Sequence, residues 1–367
     1  MSNLKDLNNS FPEPREEIKY MQTYSAPLEN RRNLLRLDFN ENTVGPSPKV
    51  IEAIQAMKSN EISIYPEYNE LKNKLCKTYL NWKDFEIGEI GIFNGADAAI
   101  NAIFNSYGEK GELFLTTNPT FGYYSPCATM RGMDTITSEY IGEDFAFPIA
   151  DFKLKLNKYK PKLVFICNPN NPTGTVLKSE IIVELANNNK RSLFVIDELY
   201  EKFYGDSLLQ KLNFNEHKNI ISIQSFSKTA GLAGLRIGFA FGHAELIRNI
   251  DKVKGPYDVN SFAVTAALAA LDDLSYIEKY VQEVKDAREW IMHKFDKSKV
   301  RSHFSGGNYF LIWPNKKPEI LEIKLRKKGI LVRNMGNKKD IENSIRVSIG
   351  TKEQMNLFWN IYSELDL

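Results

Sequence analysis

Seven short runs between residues 87 and 242 constrain this chain more than any other feature: "EIGIF", "ELFLTT", "DTITSEY", "KLVFIC", "SLFVIDE", "NIISIQSF" and "IGFAFG". Each is strand-length and β-rich, and helical patterns separate them. Several are apolar throughout instead of alternating, which is the mark of strands buried on both faces. Helices must then cover both sides of the sheet. The expectation is an α/β fold whose large domain carries a mostly parallel seven-stranded sheet. In such sheets functional side chains collect beyond the carboxyl ends of the strands. Those loops read "NGAD", "NPTFGYY", "NPNNPTG", "DELY" and "SFSK".

After "GPYDVN" the pattern changes to the helices "SFAVTAALAALDD" and "IEKYVQEVKDAREWIMHKF", then to the strands "GNYFLIWP", "GILVRN" and "SIRVSIG". This reads as a smaller α+β domain with a boundary near Val259. The expected division is residues 1–40 as an N-terminal arm with part of the small domain, 41–258 as the large domain and 259–367 as the small domain. The arm is polar, proline-bearing and weakly periodic, which suits a segment lying over the surface or over a partner subunit. A chain of 367 residues, 43% of them hydrophobic, is long enough for two such cores.

Charge narrows the function. Lysine and arginine number 48 against 46 acidic residues, a net of +2, so no global field gathers nucleic acid or an acidic membrane. No apolar run reaches the roughly 20 residues that span a bilayer, and the first residues lack an export core. The three cysteines, Cys76, Cys127 and Cys167, have neither metal-ligand spacing nor the even count of a disulfide framework. Four histidines without paired helical spacing argue against a metal site or a histidine triad. A cytoplasmic protein without a metal is the expectation.

The chemistry concentrates in "SFSKTAGLAGLRIG". A lone lysine in a strand-end loop is ordinarily a solvated surface residue. Here Ser225, Ser227 and Thr229 surround Lys228 with small hydroxyls, Gly231 and Gly234 permit close backbone approach, and Arg236 offers a fork suited to phosphate. A crowded lysine has a lowered pKa and can act as a nucleophile toward a carbonyl. Upstream, "NGADAAINAIF" puts Ala96 and Asp97 at the start of a helix, whose free amides bind anions, although Asp97 alone reads as well as a helix N-cap. Asp197 ends an apolar strand, where a carboxylate needs a cation, a Mg2+ or a helix terminus. "NPNNPTG" holds Asn171 on a stiff loop that, taken alone, is only a turn.

Asn171, Asp197, Lys228 and Arg236 follow one another at intervals of 26, 31 and 8 residues. As a set they resemble the class I/II aminotransferases of fold type I, which use pyridoxal 5'-phosphate. The likeness runs from about Asp38 to Gly350. Within that family "LDFNENTVGPSP", "YPEYNELKNKL", "KGPYDVNSFAVTAALAAL", "GILVRN" and "IRVSIGTKEQ" are similar to the histidinol-phosphate aminotransferases.

The resemblance implies roles. Lys228 would form the Schiff base with the cofactor and, once displaced by the substrate amine, shuttle a proton. Asp197 would pair with the pyridine nitrogen, Asn171 and Tyr200 with the ring hydroxyl, and Phe121 would stack on the ring. The amides of Ala96 and Asp97, with Ser225, Ser227 and Arg236, would cradle the cofactor phosphate, joined by Tyr65 from the other subunit of a homodimer. Arg346 and Arg333 would bind the anionic end of the substrates, an amino donor and a 2-oxo acid such as 2-oxoglutarate, and Tyr24 would close the site from the arm. Ala98, Ala99, Gln224, Leu199 and Thr43 depart from the family pattern without touching the cofactor set. Aminotransferases for phenylalanine or tyrosine, decarboxylases and lyases share the same core. A nucleotide-binding protein is disfavoured, because "GLAGLRIG" lacks dinucleotide spacing and no "GKS" or "GKT" loop occurs. A silent DNA-reading regulator lacks its basic module.

Overall fold

A computed structural model describes residues 12–23, 27–79, 86–336 and 338–367 of the chain. After the two-residue strand β1 (Leu35–Arg36), the seven expected runs form β2 (Ile90–Phe93), β3 (Leu113–Asn118), β4 (Asp134–Glu139), β5 (Leu163–Cys167), β6 (Leu193–Asp197), β7 (Ile220–Ser225) and β8 (Gly238–Gly242). They make one sheet in the order β2-β8-β7-β6-β5-β3-β4. Only β8 runs against its neighbours, antiparallel to both β2 and β7; the remaining pairings are parallel.

Every residue of β5 to β8 is buried. Along β6, Phe194 and Ile196 join one apolar cluster while Leu193 and Val195 join another on the opposite face. That alternation is the two-residue period of a strand covered on both sides. Each such side chain contributes about 1.5–3 kcal/mol of burial free energy, which is why these runs contain so little polar sequence.

The second sheet consists of β9 (Arg301–Phe304), β10 (Tyr309–Trp313), β12 (Arg333–Asn334) and β13 (Ile345–Ser348), in the antiparallel order β12-β13-β10-β9. "GILVRN" divides where a single strand was expected. β11 (Ile330–Leu331) pairs in parallel with β1, while β12 pairs with β13, so Val332 stands between two sheets. β9 was not expected at all. Its sequence, "RSHF", is too polar to announce a strand, and it forms a partly exposed edge. Helices Leu274–Ser298 and Lys352–Asp366 pack on each other beside this sheet. The second of them begins with a reciprocal cap between Thr351 and Gln354.

Residues 35–42 connect the two sheets. Leu37 accepts from the amide of Ser348 at 2.9 Å, and Asn40 donates its amide to Ser348 Oγ at 2.8 Å. Asn42 donates its side-chain amide to the carbonyl of Thr229 at 2.9 Å, in the loop after β7. Arg31 anchors this stretch from below with hydrogen bonds to Asp38 (2.6 Å) and Glu41 (2.9 Å). Among the described residues, no helix is long and apolar enough to cross a membrane, and no group of three or more His, Cys, Asp or Glu could hold a metal.

Candidate active site

A cavity of about 630 Å³ opens where β5, β6 and β7 end, roofed by residues 39–41 and by the second sheet. Register explains the convergence. Cys167 lies beside Asp197, and Asp197 beside Ile223, so the three strands release their loops at one level. Ala96, Asp97, Phe121, Asn171, Asp197 and Tyr200 line this space. So do Ser225, Ser227, Lys228, Arg236, Arg333 and Arg346. Twelve of the fourteen residues singled out from the sequence are thus brought together. Tyr65 is not: it is 65% exposed and stacks on Tyr257 at 3.7 Å, away from its own chain's cavity. Tyr24 lies outside the described residues.

Lys228 sits in the loop after β7, and its Nζ donates to the carbonyl of Phe39 at 2.9 Å. Burial, and then the nearby charge of Arg346, push its pKa down to about 8. Across the cavity, the carboxylate of Asp197 is fully buried. It accepts from Tyr124 Oη at 2.6 Å and from the amide of Leu199 at 3.3 Å. Burial raises its pKa to about 6 despite those two donors. A carboxylate so placed is stabilised as an anion by any cation that enters next to it.

Tyr200 Oη accepts from two amides, Asn171 Nδ2 and Asn40 Nδ2, each at 3.2 Å. Its own proton is thereby left to donate elsewhere. Asn171 Oδ1 in turn accepts from Arg346 Nη1 at 2.6 Å, and Arg346 Nη2 donates to the carbonyl of Asp38 at 2.6 Å. The neighbouring Asn170 stiffens the loop: it accepts from Thr120 Oγ1 at 2.7 Å, and its carbonyl accepts from Tyr309 Oη at 2.6 Å.

The opposite end is built for an anion. Helix Ala96–Tyr107 starts after Gly95, whose φ of +82° makes it the cap, so Asp97 lies within the first turn and does not serve as the N-cap. Instead Asp97 pairs with Arg236 Nη2 at 3.1 Å. A Cβ on Gly95 would run into that guanidinium, so glycine leaves room for Arg236 against the first turn of the helix. Ser225 Oγ and Ser227 Oγ lie 2.8 Å apart beside them. Hydroxyls, helix amides and a guanidinium converge here on one small volume.

Several cavity residues were not assigned from the sequence: Phe39, Asn40, Glu41, Thr120, Cys167 and Lys338 line it, and Tyr124 supports it through Asp197. "LDFNENTVGPSP" and "NPTFGYY" contained signals for four of them, but nothing local tells which of the adjacent Tyr123 and Tyr124 faces Asp197.

The family model of class I and II aminotransferases matches residues 32–359. A histidinol-phosphate aminotransferase of Clostridium botulinum (strain Okra / Type B1) is 31% identical over 331 residues, covering 89% of this chain and 90% of that protein. One from Caldanaerobacter subterraneus subsp. tengcongensis is 29% identical over 352 residues, covering 96% of this chain and 98% of that protein. Among solved structures, the histidinol-phosphate aminotransferase of Sinorhizobium meliloti in complex with pyridoxal-5'-phosphate superimposes with a TM-score of 0.85 at 22% identity, over 97% of this chain and 99% of that one. The L-threonine-O-3-phosphate decarboxylase of Porphyromonas gingivalis has the same fold at a TM-score of 0.76 and 23% identity, over 90% and 99%.

Proposed function

The chain belongs to the class I and II aminotransferase family, and from that premise we propose that it is a pyridoxal 5'-phosphate-dependent transaminase moving an amino group between histidinol phosphate and 2-oxoglutarate in histidine biosynthesis. The observation that carries the reading is the pairing of Lys228 and Asp197: a half-buried amine and a buried carboxylate face one cavity from the ends of adjacent strands. The relatives from Clostridium botulinum and Caldanaerobacter support the choice of amino donor.

The residues fit the cofactor. Asp197 offers a desolvated carboxylate to a protonated ring nitrogen, and Tyr200 has a proton to donate to a ring oxygen while Asn171 stands beside it. Ser225, Ser227, Arg236 and the amides of Ala96 and Asp97 would hold the phosphate, and Phe121 would cover one ring face. When bound, pyridoxal phosphate supplies an electron sink for negative charge developing on the substrate carbon.

The chain's own groups then do four things. Lys228, with a pKa of about 8, would take a proton from the substrate carbon and deliver it to the carbon that receives the amino group. Asp197 holds positive charge at the far end of the site, where it favours electron withdrawal. Arg346 and Arg333 orient the substrate's anionic end, and residues 39–41 roof the cavity against water. Tyr65 completes the phosphate cradle of a second copy, which makes the working unit a homodimer. A cytoplasmic location is part of the same reading, supported by three cysteines that are all free and buried.

The test is a single-turnover screen of the cofactor-loaded protein against histidinol phosphate, phenylalanine, tyrosine and glutamate, followed by loss of the visible absorbance of the bound aldehyde. Histidinol phosphate should react fastest among the non-glutamate donors. Faster reaction of phenylalanine or tyrosine would move the function to an aromatic aminotransferase while keeping the roles of Lys228 and Asp197.

A further inference from the structure

We propose that Lys338 is a specificity-determining residue: its ammonium is the third cation of a subsite that favours a doubly charged phosphomonoester on the amino donor over a singly charged carboxylate. The inference deepens the reading above and rests on it.

Arg333 and Arg346 occupy directly paired positions on the antiparallel strands β12 and β13, so two guanidinium side chains share one face of the second sheet. Like charges placed opposite each other are destabilising unless something of the other sign lies between them. The loop joining those strands carries Lys338, fixed by its amide to the carbonyl of Met335 at 2.9 Å. Lys338 lines the same cavity as both arginines and is half-buried. Among the described residues its Nζ makes no hydrogen bond or ion pair. Burial, and then the charges of Arg346 and Arg333, hold its pKa below that of an ordinary lysine.

The cavity's carboxylates are engaged elsewhere. Glu41 pairs with Arg31 and Arg36, Asp97 with Arg236, and Asp197 accepts from Tyr124. Glu322 faces Arg333 from helix Pro318–Lys327. Three cations therefore line one wall, Glu322 answering part of the charge of Arg333, and an incoming anion relieves what remains. A carboxylate brings one charge and two acceptor oxygens, which two arginines can satisfy. A phosphomonoester brings about −1.5 to −2 at pH 7 and three strong acceptors, so a third donor adds affinity for it specifically.

The experiment compares unmodified, Lys338→Met and Lys338→Arg proteins, each loaded with pyridoxal phosphate so that the cofactor's own phosphate cradle is filled. The half-reactions with histidinol phosphate and with glutamate are titrated separately. In Lys338→Met, the concentration of histidinol phosphate giving half-maximal rate should rise about tenfold more than that of glutamate, because a charge-assisted bond is lost. The saturating rate should hold, and Lys338→Arg should restore most of the difference. Equal weakening of both donors, or of neither, overturns the proposal. Should the unmodified protein fail to convert histidinol phosphate, the functional reading falls separately. Lys338 is then judged by inorganic phosphate as a competitor of the glutamate half-reaction: inhibition about tenfold weaker in Lys338→Met upholds the subsite, and unchanged inhibition overturns it.

Discussion

Lys228 owes its chemistry to where its chain neighbours leave it. Small residues on either side let the loop after β7 turn its ammonium into the cavity, where among the described residues its hydrogen-bond acceptor is the neutral carbonyl of Phe39 at 2.9 Å. With a pKa of about 8, its amine is about half neutral at pH 8, whereas an ordinary lysine there is less than about 1% neutral. Competitive labelling of the cofactor-free protein with a small amine-reactive reagent should therefore give Lys228 a titration midpoint near 8, well below the surface lysines. A midpoint near 10 would remove the basis for treating it as the proton carrier. The same shift bears on stability. Between pH 8 and about 10.5 the unfolded chain keeps a proton here that the folded chain has released, so this residue's contribution to stability climbs with pH across that window.

At the level of elements, the end of β6 sends two consecutive carboxylates to opposite sides. Asp197 faces the cavity, and Glu198 is buried behind it against Ser222 Oγ (2.5 Å) and the amide of Leu208 (2.7 Å). Burial, and then the charge of Glu201, raise the Glu198 pKa to about 8. Between pH 4.5 and 8 the unfolded chain ionises this group while the folded chain retains its proton, so stability falls as pH rises through that range. Glu198→Gln keeps a donor toward Ser222 and an acceptor for Leu208. It should leave stability near pH 4.5 little changed and raise it on the order of a few kcal/mol at pH 8, read by urea denaturation at both values. A variant no more stable than the parent at pH 8 would show that Glu198 is already ionised in the native state. These elements also mark what the sequence could express. The strands were legible because burial on both faces demands β-rich apolar runs. Lys228, Asp197, Asn171 and Arg236 were legible because their neighbours are unusual as well as themselves. Phe39 and Asn40 were not, since their partners lie 189 and 308 residues away, and local patterning holds no record of such contacts. β9 was hidden by the polarity of an edge, and Lys338 by lying in a lysine-rich loop that reads as surface.

At the scale of the whole molecule, a site proposed to borrow Tyr65 from a second copy can be tested by mixing subunits. Lys228→Ala should be inactive, and Tyr65→Ala should bind its cofactor poorly. A hybrid dimer holds one site with an intact Lys228 and an intact Tyr65. Random reassortment of equal amounts should therefore recover up to about a quarter of the parental activity. No gain over Tyr65→Ala alone would mean that each chain serves only itself. The seam formed by residues 35–42 has a consequence in time as well. Asn40 leaves the ribosome long before Ser348, which lies 308 residues further along and holds it in place. At about 5–20 residues per second, that interval is roughly 15–60 s. Throughout it the strands of the large sheet can assemble and residues 40–42 can reach Tyr200 and Thr229, but the roof over Lys228 lacks its fastening to Ser348. Synthesis must therefore all but finish before the roof is complete, and a nascent chain emerges with its reactive amine only partly covered.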